Sequence, residues 1–116
     1  MQLSIVIPVY NEAESLQLLY DAIRQALAHV ADLTWEVIFV DDGSKDDSYQ
    51  KLAELSQLDA NHIRVVGLRR NFGQTAAIAA GIDYSQGDVI LFMDADLQND
   101  PADIPLMLEK ICEGYD

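Results

Sequence analysis

Basic residues are scarce in this sequence. Seven Lys and Arg stand against 20 Asp and Glu, leaving a formal net charge of −13. A phosphate backbone needs a basic face, so nucleic acid is excluded as a partner class. Attachment of this segment to an anionic membrane by charge alone is excluded for the same reason. An acidic protein that takes an anionic substrate needs a metal ion or a local cluster of bases. Cysteine is scarcer still. Cys112 stands alone, so no internal disulfide forms and the reading is a reducing compartment. Its place on an apolar helix face marks it as a buried thiol rather than a nucleophile. No cationic start leads into an apolar core and cleavage site, so no signal peptide is evident. The longest uncharged apolar run, residues 76–82, is too short to span a bilayer. Three glycine- or nucleophile-centred motifs are also missing. No GxGxxG follows the first strand, no GxxxxGK[ST] occurs, and there is no GxSxG elbow.

What is present is a globular composition. Half of the 116 residues are hydrophobic, enough for one domain with a core and no disordered tract. Strand-like and helix-like segments alternate. Residues 3–9 read as a buried strand, followed by a helix that Asn11 caps with Glu14 in a capping box. That helix buries Leu16, Leu19, Tyr20, Ile23 and Leu27, spaced at three and four. Residues 35–40 form a second strand. Ser44 caps the next helix, with Asp47 three residues on and Tyr49, Leu52 and Ala53 inward. Residues 62–68 are a third strand and 74–84 an alanine-rich helix containing Gly81. A helical Gly costs about 1 kcal/mol against Ala, so Gly81 implies close helix–sheet approach. Residues 88–93 are a fourth strand. Asp100 caps a last helix with Pro101 at its first position, Ile104, Met107, Leu108 and Ile111 inward, and Gly114 as its stop.

Alternation with continuously apolar strands predicts an α/β fold, a parallel sheet with helices on both faces. Right-handed crossovers and the common half-unit give the order 3-2-1-4. Ligands of such sheets bind beyond the carboxyl ends of the strands, where the order reverses, here between strands 1 and 4. Polar residues collect at those ends. Strand 1 runs into Pro8, Tyr10, Asn11 and Glu12, strand 2 into Asp41 and Asp42, and strand 4 into Asp94, Asp96 and Gln98. Carboxylates two apart in an extended segment leave the same face and repel. A divalent cation removes that repulsion, and carboxylate and amide oxygens suit Mg²⁺ or Mn²⁺. Asp100 is explained by its cap. Asp41 directly continues a strand, where such sheets often hold a ribose or base edge; Asp42 reads equally as that or as a turn residue. Tyr10 covers the core or stacks on a base. Glu12 favours a helix dipole or faces the crevice. Arg69 and Arg70 are candidates to face a pyrophosphate, Arg64 is a solvated surface residue, and His29 and His62 are surface or strand-end residues.

Four segments together resemble a known family: IVIPVYNE (5–12), VDDGSKD (40–46), RNFGQTAAIAAG (70–81) and GDVILFMDADLQNDP (87–101). They resemble family 2 glycosyltransferases of the Rossmann-like GT-A fold, above all those that use polyprenyl phosphates such as dolichol or undecaprenyl phosphate. The resemblance covers nearly the whole chain. It implies a metal-dependent, inverting transfer from a UDP- or GDP-linked sugar, with a polyprenyl phosphate as acceptor. Pro8, Tyr10, Glu12, Asp41, Asp42, Arg70, Asn71 and Gly73 would line the nucleotide site. Asp94 and Asp96 match the family's DxD metal motif, with catalytic duty, and Gln98 matches a further ligand for Mg²⁺ or Mn²⁺. Family catalytic domains run further, so 1–116 is expected to be an amino-terminal, donor-binding part, inactive alone and prone to self-association through an exposed edge. The resemblance also implies a soluble segment of a protein on the cytoplasmic side of a membrane. A phosphorelay receiver, the rival acidic Mg²⁺ fold, needs paired acids after strand 1 and an Asp after strand 3; here those places hold Tyr10-Asn11-Glu12 and Leu68-Arg69. A catalytically silent nucleotide-binding module is the other alternative.

Overall fold

The computed structural model describes residues 2–28, 30–95 and 101–106. Its four strands are β1 (Gln2–Val9), β2 (Thr34–Asp41), β3 (Ile63–Gly67) and β4 (Val89–Phe92). All pair in parallel in the order β3-β2-β1-β4, as the alternation of apolar segments predicts. Helices α1 (Leu16–Leu27), α2 (Ser48–Leu58) and α3 (Gln74–Tyr84) connect them, and a 3₁₀ turn spans Pro101–Asp103.

The period of two along each strand divides the core between the faces of the sheet. Ile5, Ile7 and Val9 with Val37 and Phe39 meet Leu16, Leu19, Ile23 and Leu52 from α1 and α2. Val6, Ile38 and Val40 turn the other way and meet Ala77 of α3. The central strands are therefore apolar at nearly every position, because both faces are covered. Ile104 is buried against the α1 side, as expected. Asp100, Met107, Leu108, Ile111, Cys112, Gly114 and His29 lie outside the described residues.

Gly81 justifies its place. A Cβ there would stand 2.3 Å from Val6 Cγ1 and 3.2 Å from Val40 Cγ2. The missing side chain lets α3 rest directly on β1 and β2.

Three local expectations are corrected. Asn11 does not cap α1, which begins at Leu16 after Ser15. It adopts φ 54°, a left-handed conformation Asn tolerates. Its amide N–H donates to Ser44 Oγ at 2.9 Å, and its Oδ1 accepts the Lys45 N–H at 2.8 Å. Ser44 likewise caps nothing; α2 begins at Ser48 after Asp47. Both short polar side chains bond to a neighbouring loop instead of their own helix, the competition such residues always offer. Tyr49 is half exposed rather than inward. The buried stripe of α2 runs through Ser48, Leu52 and Leu55, so of the expected inward residues only Leu52 is fully buried.

Candidate functional site

The loops that leave β1, β2 and β4 and the loop before α3 surround one open crevice of about 360 Å³. Pro8, Val9, Tyr10, Glu12, Asp42, Asn71, Gly73, Gln74, Asp94 and Ala95 line it. It lies at the carboxyl ends of β1 and β4, the point where strand order reverses. Of the residues singled out in the sequence, Pro8, Tyr10, Glu12, Asp42, Asn71, Gly73 and Asp94 meet here. Asp96 and Gln98 lie outside the described residues. Asp41 and Arg70 do not line the crevice.

The loops after β1 and β2 are stitched together. Besides the two bonds of Asn11, the Glu12 N–H donates to Ser48 Oγ at 2.9 Å and the Ala13 N–H to Asp46 Oδ2 at 3.4 Å. Asp46 Oδ1 accepts the Ser48 N–H at 2.9 Å. Hydrogen bonding from Ser48 holds the Asp46 carboxyl below the usual carboxylate range. Ser48 is fully buried, the deepest of these polar groups. This framework fixes the stretch that carries Tyr10 and Glu12.

Asp41 and Asp42 are both buried, at 3% and 4% exposure. Asp42 receives the Phe72 N–H on Oδ1 at 2.8 Å and the Gly73 N–H on Oδ2 at 3.0 Å. Asp41 receives the Ser44 N–H on Oδ2 at 3.2 Å. Among the described residues, Asp41 Oδ1 is the buried side-chain atom with no hydrogen-bond partner. An unmet buried acceptor costs about 1–3 kcal/mol. The Arg70 guanidinium lies over the Phe72 ring, 4.7 Å from its centroid, in an exposed cation–π pair.

Asp94 is half-buried in the crevice directly after β4. Its oxygens are the hard donors that Mg²⁺ and Mn²⁺ prefer. Among the described residues no three His, Cys, Asp or Glu side chains gather around a metal position; Asp96 and Gln98, expected to complete the donor set, are not among them.

One buried acid escaped the sequence reading. Glu36, on β2 at the opposite end of the sheet, is 8% exposed. Its Oε2 accepts from Ser4 Oγ at 2.6 Å and from the Gln86 N–H at 2.7 Å, and Oε1 pairs with Arg64 Nε at 3.3 Å. Ser4 Oγ in turn accepts the Gly87 N–H at 2.8 Å. The network binds the turn between α3 and β4 to the sheet. Arg64 is therefore a tethered residue rather than a merely solvated one.

Comparison with known proteins agrees with this geometry. The family described as "Glycosyl transferase family 2" matches residues 4–116. An undecaprenyl-phosphate 4-deoxy-4-formamido-L-arabinose transferase of Klebsiella pneumoniae (strain 342) is 45% identical over 115 residues, covering 99% of this chain and 35% of the relative. The protein of that name in Pectobacterium carotovorum is 47% identical over 113 residues, covering 97% of this chain and 34% of its own. The chain thus spans about a third of the length of these curated relatives. Among solved structures, a Pyrobaculum calidifontis mannosyltransferase in complex with GDP-Man and Mn²⁺ superposes with a TM-score of 0.71 at 23% identity, over 81% of this chain and 27% of that one. Staphylococcus aureus TarS 1-349 in complex with UDP-GlcNAc gives 0.67 at 25% identity, over 83% and 27%. No helix among the described residues is long and apolar enough to cross a membrane.

Proposed function

This chain belongs to glycosyl transferase family 2, and on that premise we propose that it is the donor-binding portion of an inverting, metal-dependent glycosyltransferase. Its donor is a sugar linked to a nucleoside diphosphate, UDP or GDP, and its acceptor a polyprenyl phosphate. The observation that carries the reading is the convergence of Tyr10, Glu12, Asp42 and Asp94 from three strand ends on one crevice at the switch point of the sheet. The relatives bearing an undecaprenyl-phosphate transferase name support the acceptor class.

Each residue then has a task. Tyr10, 39% exposed at the rim of the crevice, offers its ring as a stacking surface for the base. Asp41 Oδ1, buried and without a partner among the described residues, suits an N–H of the base or a hydroxyl of the ribose, which would offset its lost hydration. Pro8, Asn71 and Gly73 shape the walls. Asp94, with Asp96 and Gln98, would hold Mg²⁺ or Mn²⁺, and the bound ion would neutralise charge on the departing diphosphate. A polyprenyl phosphate is already ionised near neutral pH. Its oxygen attacks the anomeric carbon from the face opposite the diphosphate, which leaves with the bonding electron pair, so configuration inverts. No general base is required.

The test is transfer of a radiolabelled sugar from a panel of UDP- and GDP-linked donors to undecaprenyl phosphate by the full-length protein. The expected result is lipid-linked label from one donor, lost in Asp96→Ala. Label reaching water or protein but never the lipid phosphate would reject the acceptor, and no turnover of any donor would reject the activity.

A further inference from the structure

We propose that Asp42 is a positioning residue whose partner is the loop of residues 70–73 rather than the nucleotide, and that it works as a pair with Gly43 to set the part of the crevice wall that Asn71 and Gly73 form. The inference rests on the nucleotide-sugar reading of the site, and it has this acid, which strand placement alone left between two roles, hold the loop that faces the donor.

The carboxylate of Asp42 is bidentate toward backbone. Its two oxygens each take one amide, Phe72 N–H at 2.8 Å and Gly73 N–H at 3.0 Å. Those amides directly precede α3, whose N-cap is Gly73 with no side-chain cap of its own. A carboxylate there meets the positive end of the helix and satisfies amides that the helix leaves unbonded. Both carboxylate oxygens are thus already engaged by backbone amides, and charge-assisted bonds of this kind are the strong ones.

Gly43 supplies the complementary device. A Cβ on it would stand 2.2 Å from the Arg70 carbonyl carbon and 2.5 Å from the Asn71 nitrogen. These are backbone atoms and cannot swing aside. Gly43 also holds φ +71°, where side chains are disfavoured. The end of β2 therefore pulls the loop in through Asp42 and admits it through the missing side chain of Gly43. What the loop carries depends on that seat. Asn71 and Gly73 enter the crevice lining, while Arg70 and Phe72 stack on each other, exposed to solvent. A loop displaced by an ångström would move the first pair out of reach of a donor while leaving Tyr10, Glu12 and Asp94 in place.

Site-resolved amide hydrogen exchange on Asp42→Asn, with donor binding measured beside it, tests this. Asn keeps one acceptor oxygen but turns an N–H toward the second amide, so exchange at Phe72 and Gly73 should rise by roughly tenfold or more, a change equal to one lost charge-assisted bond. Amides of Val6 and Ile38 in the central strands should keep wild-type protection. Nucleotide-sugar affinity should fall by about tenfold, and adding Asn71→Ala to Asp42→Asn should cost less than the two single losses combined. Gly43→Ala, which leaves the carboxylate intact, should reproduce the Gly73 exchange signature. Unchanged exchange at both amides in Asp42→Asn would overturn the clamp. Full additivity with Asn71→Ala would assign Asp42 a direct ligand contact and overturn the proposal as well. Exchange is read without donor, so a wild-type protein that binds no nucleotide sugar would refute the functional reading while the exchange result still decides the clamp.

Discussion

Gly81 stands so close to Val6 that a single added carbon would approach Val6 Cγ1 to 2.3 Å. Helix α3 is thus seated on the sheet at the distance of a backbone rather than a side chain. Gly81→Ala sets two effects against each other. Helix propensity favours Ala by about 1 kcal/mol. Overpacking against a stiff β-branched residue costs about 1–3 kcal/mol. Overpacking wins, so Gly81→Ala should unfold at lower urea concentration than wild type. Gly81→Ala paired with Val6→Ala should recover part of the loss. A variant more stable than wild type would mean that α3 stands off the sheet.

The Tyr20 phenol is pushed up from 10.0 to about 12, by burial first and then by its hydrogen bond to Asp59 and the charge of that acid. A raised acid pKa means the folded state holds its proton after the unfolded chain has released it. The stabilisation is complete below pH 10 and is lost as the pH climbs through about 12. Urea midpoints should therefore fall more steeply above pH 10 in wild type than in Tyr20→Phe, although the variant starts about 1 kcal/mol lower for want of the hydrogen bond. Parallel curves would place Tyr20 in a solvated setting.

Much of this was legible in the sequence because it depends on periodicity. The order β3-β2-β1-β4 followed from apolar strands alternating with helical spacing, and α3 was bounded at Gln74–Tyr84 by its neighbouring turn residues. Crevice residues such as Tyr10, Asp42 and Asp94 could be picked because strand ends are easy to find and this fold binds ligands there. The hydrogen-bond partners were not legible. Asn11, Ser44 and Ser48 carry helix-cap chemistry, yet the side chains of all three accept from a neighbouring loop, a choice made by tertiary distance. Asp42 and Asp41 are adjacent and alike in sequence, but one finds two amides and the other leaves an oxygen unmet. Glu36 gave no signal, since its partners Ser4, Arg64 and Gln86 come from three separate segments.

The central claim is that the crevice grips a diphosphate through a divalent ion held at Asp94 and its neighbours. Calorimetric titration of UDP- and GDP-linked sugars into the full-length protein, with Mn²⁺ and with chelator, addresses it most directly. The account predicts that one donor binds with Mn²⁺, that chelator abolishes the heat, and that Asp94→Ala weakens binding on the order of a hundredfold. Equal affinity with Mn²⁺ and with chelator, or an Asp94→Ala protein that binds as wild type does, would contradict it.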